Sequence, residues 1–329
     1  MSKVATYYLR VNNKMQIIIG FLVFCLVLFV YVHIYYHIRI SNDLEVFEID
    51  DPSKDKLEEV CDMRQPVRFN FIRENITNLC SQKSICNSYG AFDVKIRDLQ
   101  LPPNAEEEIY IPLPLVNALT VLNDDKESRY VVESNNDFLE ETGLVKEYQI
   151  ADEFIRPYMV VSCDYDLCMG SEGACTPFQY DLNYRNYYLV TEGEVTIKLS
   201  PPRSSKHLHE IRDYENYEFK SPINPWNVES KYKNDFDKIK CLEITLTEGE
   251  ILYIPAYWWY TIKYNSNSTI CMFKYKTYMN TLAILPKIFM RFLQLHNVKR
   301  NTASIIDIDK GNSGSAGIAA TTNISSLQK

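Results

Sequence analysis

The chain has 329 residues, of which 46 % are hydrophobic, so it is long enough for one large domain or two small ones around a substantial core. Its 24 Tyr and 15 Phe favour strands over helices. Beyond residue 39 the chain carries 31 basic and 43 acidic side chains, because four of the 35 basic residues and no acidic residue precede residue 40. The resulting net charge of −12 repels phosphate backbones and argues against nucleic-acid binding.

An uncharged apolar run occupies Met15–Tyr36. Its 22 residues can span a hydrocarbon core, which needs about 20. The run is too long for a cleaved signal peptide and no small-residue cleavage site follows it, so we predict an uncleaved signal anchor. Lys3, Arg10 and Lys14 precede the run, whereas acidic residues follow Arg39. This bias predicts a cytosolic N-terminus and a lumenal or extracellular domain.

Eight of the nine cysteines lie beyond this run, and the sequence contains no Cys-x-x-Cys. A zinc ribbon or a thioredoxin-like site therefore has no support. The eight thiols fit lumenal disulfides, with buried free thiols as the alternative, and the pairing stays open. Asn75, Asn267 and Asn323 begin glycosylation sequons, which agrees weakly with a lumenal domain.

Composition divides the chain into five segments. Residues 40 to 54 are acidic and lack periodicity, and the chain beyond residue 300 is rich in Ser, Thr, Gly, Ala and Asn without an aromatic residue. We predict a cytosolic N-terminus (1–14), a transmembrane anchor (15–38), an acidic stalk (39–54), one folded domain (55–299) and a disordered tail (300–329).

Local patterns predict the elements of that domain. Ser53 is placed to cap a short helix that ends near Met63, and the strand that follows directs Val67, Phe69 and Phe71 to one side. The four residues Leu-Pro-Pro-Asn from position 101 break the chain. Further along, a helix capped by Asp137 is predicted to run through Gly143 towards Tyr148.

Two features are predicted near the C-terminal end of the domain. Residues 203 to 240 are polar, and their length suggests an inserted loop that covers one mouth of the domain. Residues 286 to 298 return to helical periodicity, with Ile288, Phe292 and Leu295 in one stripe. Such a stripe is usually a packing face, and a dimer or membrane-surface contact is the alternative.

Two stretches carry the strongest signal. Residues 176 to 202 read Thr-Pro-Phe-Gln-Tyr-Asp, then an Asn-aromatic strand, a Glu-Gly turn, a second strand and Pro-Pro. Residues 249 to 260 read Gly-Glu-Ile-Leu-Tyr-Ile-Pro-Ala-Tyr-Trp-Trp-Tyr. Together they resemble the two metal-bearing halves of a cupin barrel of the JmjC type, and Arg64–Phe71 resembles an early strand of such domains. The resemblance covers roughly residues 55 to 280, and it implies a mainly β fold, a double-stranded β-helix or jelly roll with flanking helices.

The resemblance also implies an iron site, but the ligand types are mostly replaced. Relatives of this type hold iron through two histidines and one carboxylate. Gln179 stands at the first histidine position, Asp181 is retained, and Tyr260 stands at the distal histidine position. The resemblance further marks three positions as pocket candidates for a keto-acid co-substrate: Thr176, Asn186 and Val195, the last where many relatives place a lysine.

The other histidines and the aromatic run are alternative candidates for a site. His207 and His209 lie in a polar stretch after the Pro-Pro stop and favour a solvated loop, and His296 lies in the C-terminal helix. Strand alternation puts Trp258 and Tyr260 on one side of the strand and Tyr257 and Trp259 on the other. Most of these rings are expected to pack in the core. A pocket that binds a sugar or peptide through such rings is the minority interpretation.

These patterns favour a non-catalytic domain, a pseudoenzyme that keeps the barrel as a binding or structural module at a membrane. No catalytic residue, metal or cofactor is predicted, and the partners expected are the lipid bilayer and an unidentified protein or glycan. The alternatives are an iron(II)- and 2-oxoglutarate-dependent hydroxylase with atypical ligands, and a lectin-like glycan binder. The anchor followed by a degenerate barrel also resembles the cupin-like membrane proteins of giant DNA viruses, which would make a virion membrane or a host endomembrane the location.

Overall fold

The computed structural model describes residues 3–71, 74–100, 110–214 and 216–296, without the side chains of residues 3–13 and Glu74. The predicted disordered tail, the chain break from position 101 and the sequon at Asn323 lie outside the described residues. The described part is mainly β with flanking helices, as predicted. Two packed sheets of this kind are consistent with a jelly roll.

The described helices are one long N-terminal helix and short helices around the sheets. They are α1 (Lys3–Ile38), α2 (Lys54–Asp62), α3 (Glu74–Leu79), α4 (Gln82–Tyr89), α5 (Leu115–Asp124), α6 (Asn136–Glu141), α7 (Val145–Ala151), α8 (Lys233–Phe236), α9 (Tyr278–Ala283) and α10 (Leu285–Leu295). A 3-10 helix occupies Pro202–His207.

The described strands run from the segment after α1 to the segment before α9. They are β1 (Phe47–Ile49), β2 (Val67–Asn70), β3 (Asp93–Asp98), β4 (Tyr110–Pro114), β5 (Tyr130–Val132), β6 (Val160–Gly170), β7 (Phe178–Gln179), β8 (Arg185–Glu192), β9 (Glu194–Ser200), β10 (Ile211–Asp213), β11 (Glu218–Ser221), β12 (Leu242–Thr247), β13 (Glu250–Pro255), β14 (Trp259–Tyr264) and β15 (Ser268–Thr277).

These strands form two sheets in the described part of the chain. A nine-stranded sheet has the order β1-β2-β13-β8-β15-β6-β5-β3-β4, and a six-stranded sheet has the order β10-β11-β7-β14-β9-β12. The pair β1–β2 is parallel, and β8, β13, β14 and β15 pair with their neighbours in antiparallel fashion. Gly193 makes the predicted turn between β8 and β9 at φ +79, a backbone conformation that glycine adopts without steric cost.

Alternate residues of the central strands supply two different cores. On β15, Ile270 and Met272 join a cluster between the sheets, whereas Cys271, Phe273 and Tyr275 join a cluster under the helices on the other side. The between-sheet cluster takes side chains from β8, β9, β13, β14 and β15. The sheet interior is therefore filled by protein side chains.

The N-terminal helix is apolar, and its end contacts the folded domain. The part Lys14–Ile38 is long and apolar enough to cross a membrane, although a signal sequence at the same place would meet the same criterion. At its C-terminal end, the ring of Tyr36 lies 4.4 Å from the guanidinium carbon of Arg64. Arg64 also donates a hydrogen bond to the carbonyl of Arg39 at 3.4 Å, and α1 packs against α9.

Several local predictions are confirmed. The Ser53 side chain accepts a hydrogen bond from the Lys56 amide and caps α2. On this helix three apolar side chains are buried against the domain: Leu57, Val60 and Cys61. The strand side chains predicted to point one way are buried as well: Val67, Phe69 and Phe71.

Three local predictions need correction. The single helix expected from Asp137 to Tyr148 is two helices, because Gly143 adopts φ +75 between α6 and α7. The stretch interpreted as a stalk contains β1, which pairs with β2 at the sheet edge. The inserted loop of residues 203 to 240 contains β10, β11 and α8 in addition to the end of the 3-10 helix. The predicted segment boundaries themselves stay predictions.

Candidate functional site

The three predicted ligand positions come together in the six-stranded sheet. Gln179 on β7 is the register partner of Tyr260 on β14. Asp181 follows two residues after Gln179, and its carbonyl accepts a hydrogen bond from the Tyr257 amide at 2.8 Å, which ties the segment to the turn before β14. The spacing of the two sequence motifs therefore translates into one cluster of side chains.

These side chains form a continuous hydrogen-bonded chain that ends on the carboxylate. Gln179 Nε2 donates to the Tyr260 hydroxyl at 3.2 Å, and that hydroxyl donates to Asp181 Oδ2 at 2.9 Å. The Tyr188 hydroxyl on β8 donates to the same oxygen at 3.0 Å. Burial and the Asp181 charge raise the pKa of Tyr260 above its usual value, so this phenol keeps its proton at neutral pH.

Lys274 on β15 supplies the positive charge of the site. Its Nζ lies 3.1 Å from Asp181 Oδ2 and donates to Oδ1 at 3.3 Å. Burial by itself would lower the pKa of Lys274, but the carboxylate of Asp181 outweighs burial and raises the pKa. The two side chains are 20 % and 21 % exposed, so the pair is partly desolvated and faces a cavity.

Lys274 and Tyr188 belong to the site although the sequence motifs did not predict them. A signal for Lys274 was present, because it shares strand parity with Ile270 and Met272, whose side chains point between the sheets. A lysine that points into a core needs an acidic partner nearby. The partner itself could be identified only from the fold, because Asp181 lies in the segment between β7 and β8.

The interior beside this cluster is closely packed. The Tyr188 and Tyr260 rings lie 5.3 Å apart, and Tyr264 on the same strand as Tyr260 is buried with them. A Cβ at Gly170 would collide with the Tyr264 ring, so the ring occupies the space that a side chain at Gly170 would need. The volume beyond the hydrogen-bonded chain is therefore taken by tyrosine rings.

The three co-substrate pocket candidates make contacts elsewhere. The Thr176 hydroxyl accepts the Ile262 amide hydrogen bond at 2.9 Å and holds β14 to the preceding segment. Asn186 donates to the Ile254 carbonyl at 3.1 Å, and Val195 is fully buried in the core between the sheets. None of the three lines the cavity beside Asp181.

That cavity has a volume of about 410 Å³ and a polar lining. Its wall includes Asp181 and Lys274, and beside them Lys276, which pairs with Asp164 at 3.0 Å. Arg291 of α10 also belongs to the wall. Most charged side chains in the wall are thus already paired. The cavity therefore offers a ligand hydrogen-bonding groups and little net charge.

The residues at the site do not fit an iron(II) ion. The histidine positions hold an amide and a phenol, and the phenol of Tyr260 already donates to Asp181. Iron(II) would have to displace the Lys274 ammonium from the only carboxylate of the triad. Among the described residues, no group of three His, Cys, Asp or Glu side chains is placed to hold a metal ion.

The remaining histidines and aromatic residues have structural contacts. His209 is exposed and lies 3.0 Å from Asp235, and His296 ends α10. His207 ends the 3-10 helix. Trp258 and Trp259 are fully buried, in the core between the sheets and in the cluster of the inserted segment respectively, as their strand alternation predicted.

All cysteines in the part of the chain that the structure describes carry free thiols. Cys61, Cys80, Cys168 and Cys271 are buried, and burial raises the pKa of Cys61 to about 11. This arrangement agrees with the alternative of buried thiols and differs from the expectation of lumenal disulfides.

Comparison with known proteins identifies related sequences over part of the chain. The family described as "Cupin-like domain" matches residues 100–278, just over half of the chain. "HSPB1-associated protein 1" of rat and of human is 32 % identical over 98 residues, which are 30 % of this chain and 20 % of the relative. "JmjC domain-containing protein D" of Dictyostelium discoideum is 30 % identical over 100 residues, which are 30 % of this chain and 22 % of that protein.

This chain belongs to the cupin-like domain family. The predicted cupin-like and JmjC-like character is thereby confirmed, and the relation to giant-virus proteins stays a prediction. The match spans only about a fifth of the length of these relatives.

Proposed function

We propose that this protein is a membrane-anchored cupin-like protein whose domain acts as a binding or structural module without iron-dependent chemistry. The observation that carries the proposal is that the negative charge of Asp181 is already paired with a cation and hydrogen-bond donors. Two phenols and one ammonium group occupy the positions around its carboxylate where a metal and its ligands would have to be. A compensated carboxylate of this kind stabilises the sheet contact and has little affinity for a cation.

The cavity beside Asp181 is the best candidate for a ligand site. It is concave, has a volume of about 410 Å³ and presents several hydrogen-bonding groups, which are the usual properties of small-molecule sites. Because Lys274 and Lys276 each have an acidic partner, a strongly anionic ligand would compete with existing ion pairs. A neutral or zwitterionic polar ligand, including a short peptide or a sugar, fits this wall better.

A hydroxylase is the second candidate, since a curated relative is named as a JmjC domain-containing protein. Iron(II) and 2-oxoglutarate would then be its cofactors, with Gln179, Asp181 and Tyr260 as atypical ligands. The alternative predicts that Lys274 leaves Asp181 when iron binds. For the lectin-like candidate, Trp258 and Trp259 are buried and cannot offer their faces to a sugar, whereas rings such as Tyr217 line the cavity beside Asp181.

The iron content of the purified protein separates the first two candidates. The full chain, purified in detergent without a histidine tag, is incubated anaerobically with iron(II) and 2-oxoglutarate, desalted and assayed for iron. A Gln179→His/Tyr260→His variant and a Gln179→His/Tyr260→His/Lys274→Met variant are treated in the same way. We expect iron far below one per chain in the wild type and the highest content in the triple variant.

Each outcome has a defined meaning for the proposal. Iron near one per chain in the wild type would contradict it and would favour the hydroxylase. Iron only in the triple variant would support it and would identify Lys274 as the group that excludes the metal. Iron in both variants but not in the wild type would also support the proposal. It would show that the missing histidines alone prevent iron binding and that Lys274 has no separate role.

The anchoring part of the proposal rests on α1. Its apolar part has the length of a membrane span, and its end is held against the domain by Arg64 and α9. We propose that the domain stays attached to the membrane through this helix, on the lumenal or extracellular side. The membrane could be a host endomembrane or the internal membrane of a virion.

A further inference from the structure

The last described helix, α10, exposes far more apolar surface than a soluble helix of its length needs to. No side chain of α10 is fully buried. Its large apolar side chains, each between 46 % and 58 % exposed, are Leu285, Phe289, Met290, Phe292, Leu293 and Leu295. Only Ile288 packs, and it does so partly, against the cluster of the inserted segment. The stripe expected to be a packing face is thus largely without a partner among the described residues.

The position of α10 places this surface next to the end of α1. A groove of about 640 Å³ is lined on one side by Ile38 and Ile40 and on the other by Ile284 and Pro286. The first turn of α10 therefore lies beside the last residue of the apolar helix. The 11 residues of α10 extend about 16 Å, so no residue of the helix lies farther than that from its first turn beside α1.

The charge of this segment suits a lipid surface. In a chain of net charge −8, residues 277 to 300 contain no Asp or Glu, whereas Arg291, Lys299 and Arg300 are basic. The fourth basic residue, Lys287, packs over the Tyr257 ring of the domain at 4.6 Å. Anionic headgroups attract such residues when they lie near the membrane surface. Aromatic and aliphatic side chains next to basic ones are the usual composition of helices that lie in the interface.

We propose that α10 lies in the interfacial region of the same bilayer that α1 enters, with Phe289, Phe292 and Leu293 among the acyl chains. This inference rests on the proposed anchoring by α1. It goes beyond anchoring because it fixes the domain at two points and thus sets its orientation on the membrane. Arg291 also lines the cavity beside Asp181, so that cavity opens next to the headgroups.

A second copy of the chain fits this surface less well than a bilayer does. In a two-fold contact each helix would face its own copy, and the same patch would meet itself. Such a contact gives the exposed Arg291 no acidic partner on α10, and Lys287 packs over the Tyr257 ring of its own domain at 4.6 Å. Such a dimer also does not explain why the apolar surface of α10 lies beside the end of α1.

The depth of α10 in the membrane can be measured with an introduced tryptophan. Phe292 is exposed, so the Phe292→Trp substitution leaves the core unchanged. Asn267→Trp is the control, because Asn267 is exposed in the turn before β15. The ten residues of β15 separate this turn from α9 by about 30 Å. The full-length variants are reconstituted in phosphatidylcholine vesicles with and without phosphatidylglycerol, some containing brominated acyl chains, and wild type gives the background of the native tryptophans.

We expect the Phe292→Trp emission to shift to the blue and to be quenched several-fold by brominated lipid, while the Asn267→Trp signal stays at background. Adding Arg291→Gln should reduce the quenching more in vesicles with phosphatidylglycerol than in those without. Thermal unfolding of each variant confirms that it is folded.

The possible failures are distinguishable. An unquenched, red-shifted Phe292→Trp in protein that floats with the vesicles would overturn the inference and leave the anchor intact. A blue shift without quenching that grows with the protein-to-lipid ratio would identify a second copy as the occupant and would also overturn it. Protein that does not float with vesicles would overturn the proposed anchoring and this inference together.

Discussion

At the scale of single residues, the carboxylate of Asp181 is compensated by side chains from three strands. Tyr188, Tyr260 and Lys274 come from β8, β14 and β15, so the two sheets meet at this group. The predicted iron site would place a metal ion next to this carboxylate, and in the structure an ammonium group and two phenols contact it instead. We therefore expect the site to contribute to stability without a bound ion.

The first prediction concerns the charge of Lys274. Lys274→Met leaves the partly buried Asp181 carboxylate without a cation and should destabilise the protein by about 1–3 kcal/mol. The cost is below that of breaking a fully buried ion pair, because both side chains are partly exposed. The melting temperature should fall by about 2–12 °C for a domain of this size. Thermal unfolding monitored by circular dichroism measures the change.

Lys276→Met is the matched control, because its pair with Asp164 is more exposed and its loss should cost less. Lys274→Met/Asp181→Asn should be more stable than Lys274→Met alone, since no unpaired charge remains. Equal losses for both single lysine variants would contradict the special role of Lys274.

The second prediction concerns pH and Asp98 at the end of β3. A hydrogen bond from Arg129 lowers the pKa of Asp98 below its usual value of 3.8. The ionised form is favoured by folding, so this stability is present above pH 3.8 and is lost as pH falls through the folded-state pKa. Asp98→Asn should therefore lower the melting temperature at pH 6 and have a vanishing effect at the lowest pH at which the protein still folds. A constant difference across that range would show that Asp98 acts without its charge.

The residues of the site could be predicted in part from the sequence. Gln179, Asp181 and Tyr260 were placed together because their motifs have a fixed order and spacing. Lys274 and Tyr188 were missed, since their role depends on which strands pair and in which register. Thr176 precedes β7 and Asn186 lies on β8, and each hydrogen-bonds a backbone group of a neighbouring strand through its side chain.

At the scale of elements, backbone conformation explains where sequence patterns failed. The apolar residues Phe138, Leu139, Leu144 and Tyr148 are buried as a continuous helix would require, yet the chain breaks between α6 and α7. Gly143 adopts a left-handed conformation there, which periodicity of side chains cannot reveal. Strands whose alternation was clear, such as β14, were predicted with the correct faces.

The third prediction tests that break. Gly143 has φ +75 and no atom within 4 Å of an added Cβ, so a substitution meets strain and no clash. Gly143→Ala should cost about 1 kcal/mol and lower the melting temperature by about 2–4 °C. Gly143→Asn should cost less, because asparagine tolerates the left-handed region better than alanine. A stabilising Gly143→Ala would mean that α6 and α7 join into one helix.

At the scale of the whole molecule, the fold combines a membrane-spanning candidate with a cupin-like domain whose interior is filled. The family and the mainly β class could be predicted because the two motif stretches make up the central strands. The added strand β1 and the structured insertion could not, since both depend on pairing with distant strands. The exposed face of α10 became visible only when its neighbours were known.

The fourth prediction concerns the orientation in the membrane. Expressed in cells with a secretory pathway, the chain should keep its full 38.5 kDa polypeptide and resist alkaline extraction from membranes. Asn75 and Asn267 are exposed, so a lumenal domain should be glycosylated there. Treatment with a glycosidase should increase electrophoretic mobility, and Asn75→Gln/Asn267→Gln should remove most of this shift. A shorter polypeptide would indicate a cleaved signal peptide, and an unmodified full-length chain would place the domain on the cytosolic side.

The central claim, that Lys274 and two tyrosines hold Asp181 in place of a metal ion, can be tested most directly by diffraction. Crystals of the protein would be soaked anaerobically with iron(II) and 2-oxoglutarate, and anomalous differences would be collected on both sides of the iron absorption edge. We expect no anomalous peak at Asp181 and a lysine ammonium within hydrogen-bond distance of its carboxylate. An iron peak bonded to that carboxylate, with Lys274 turned away, would contradict the account.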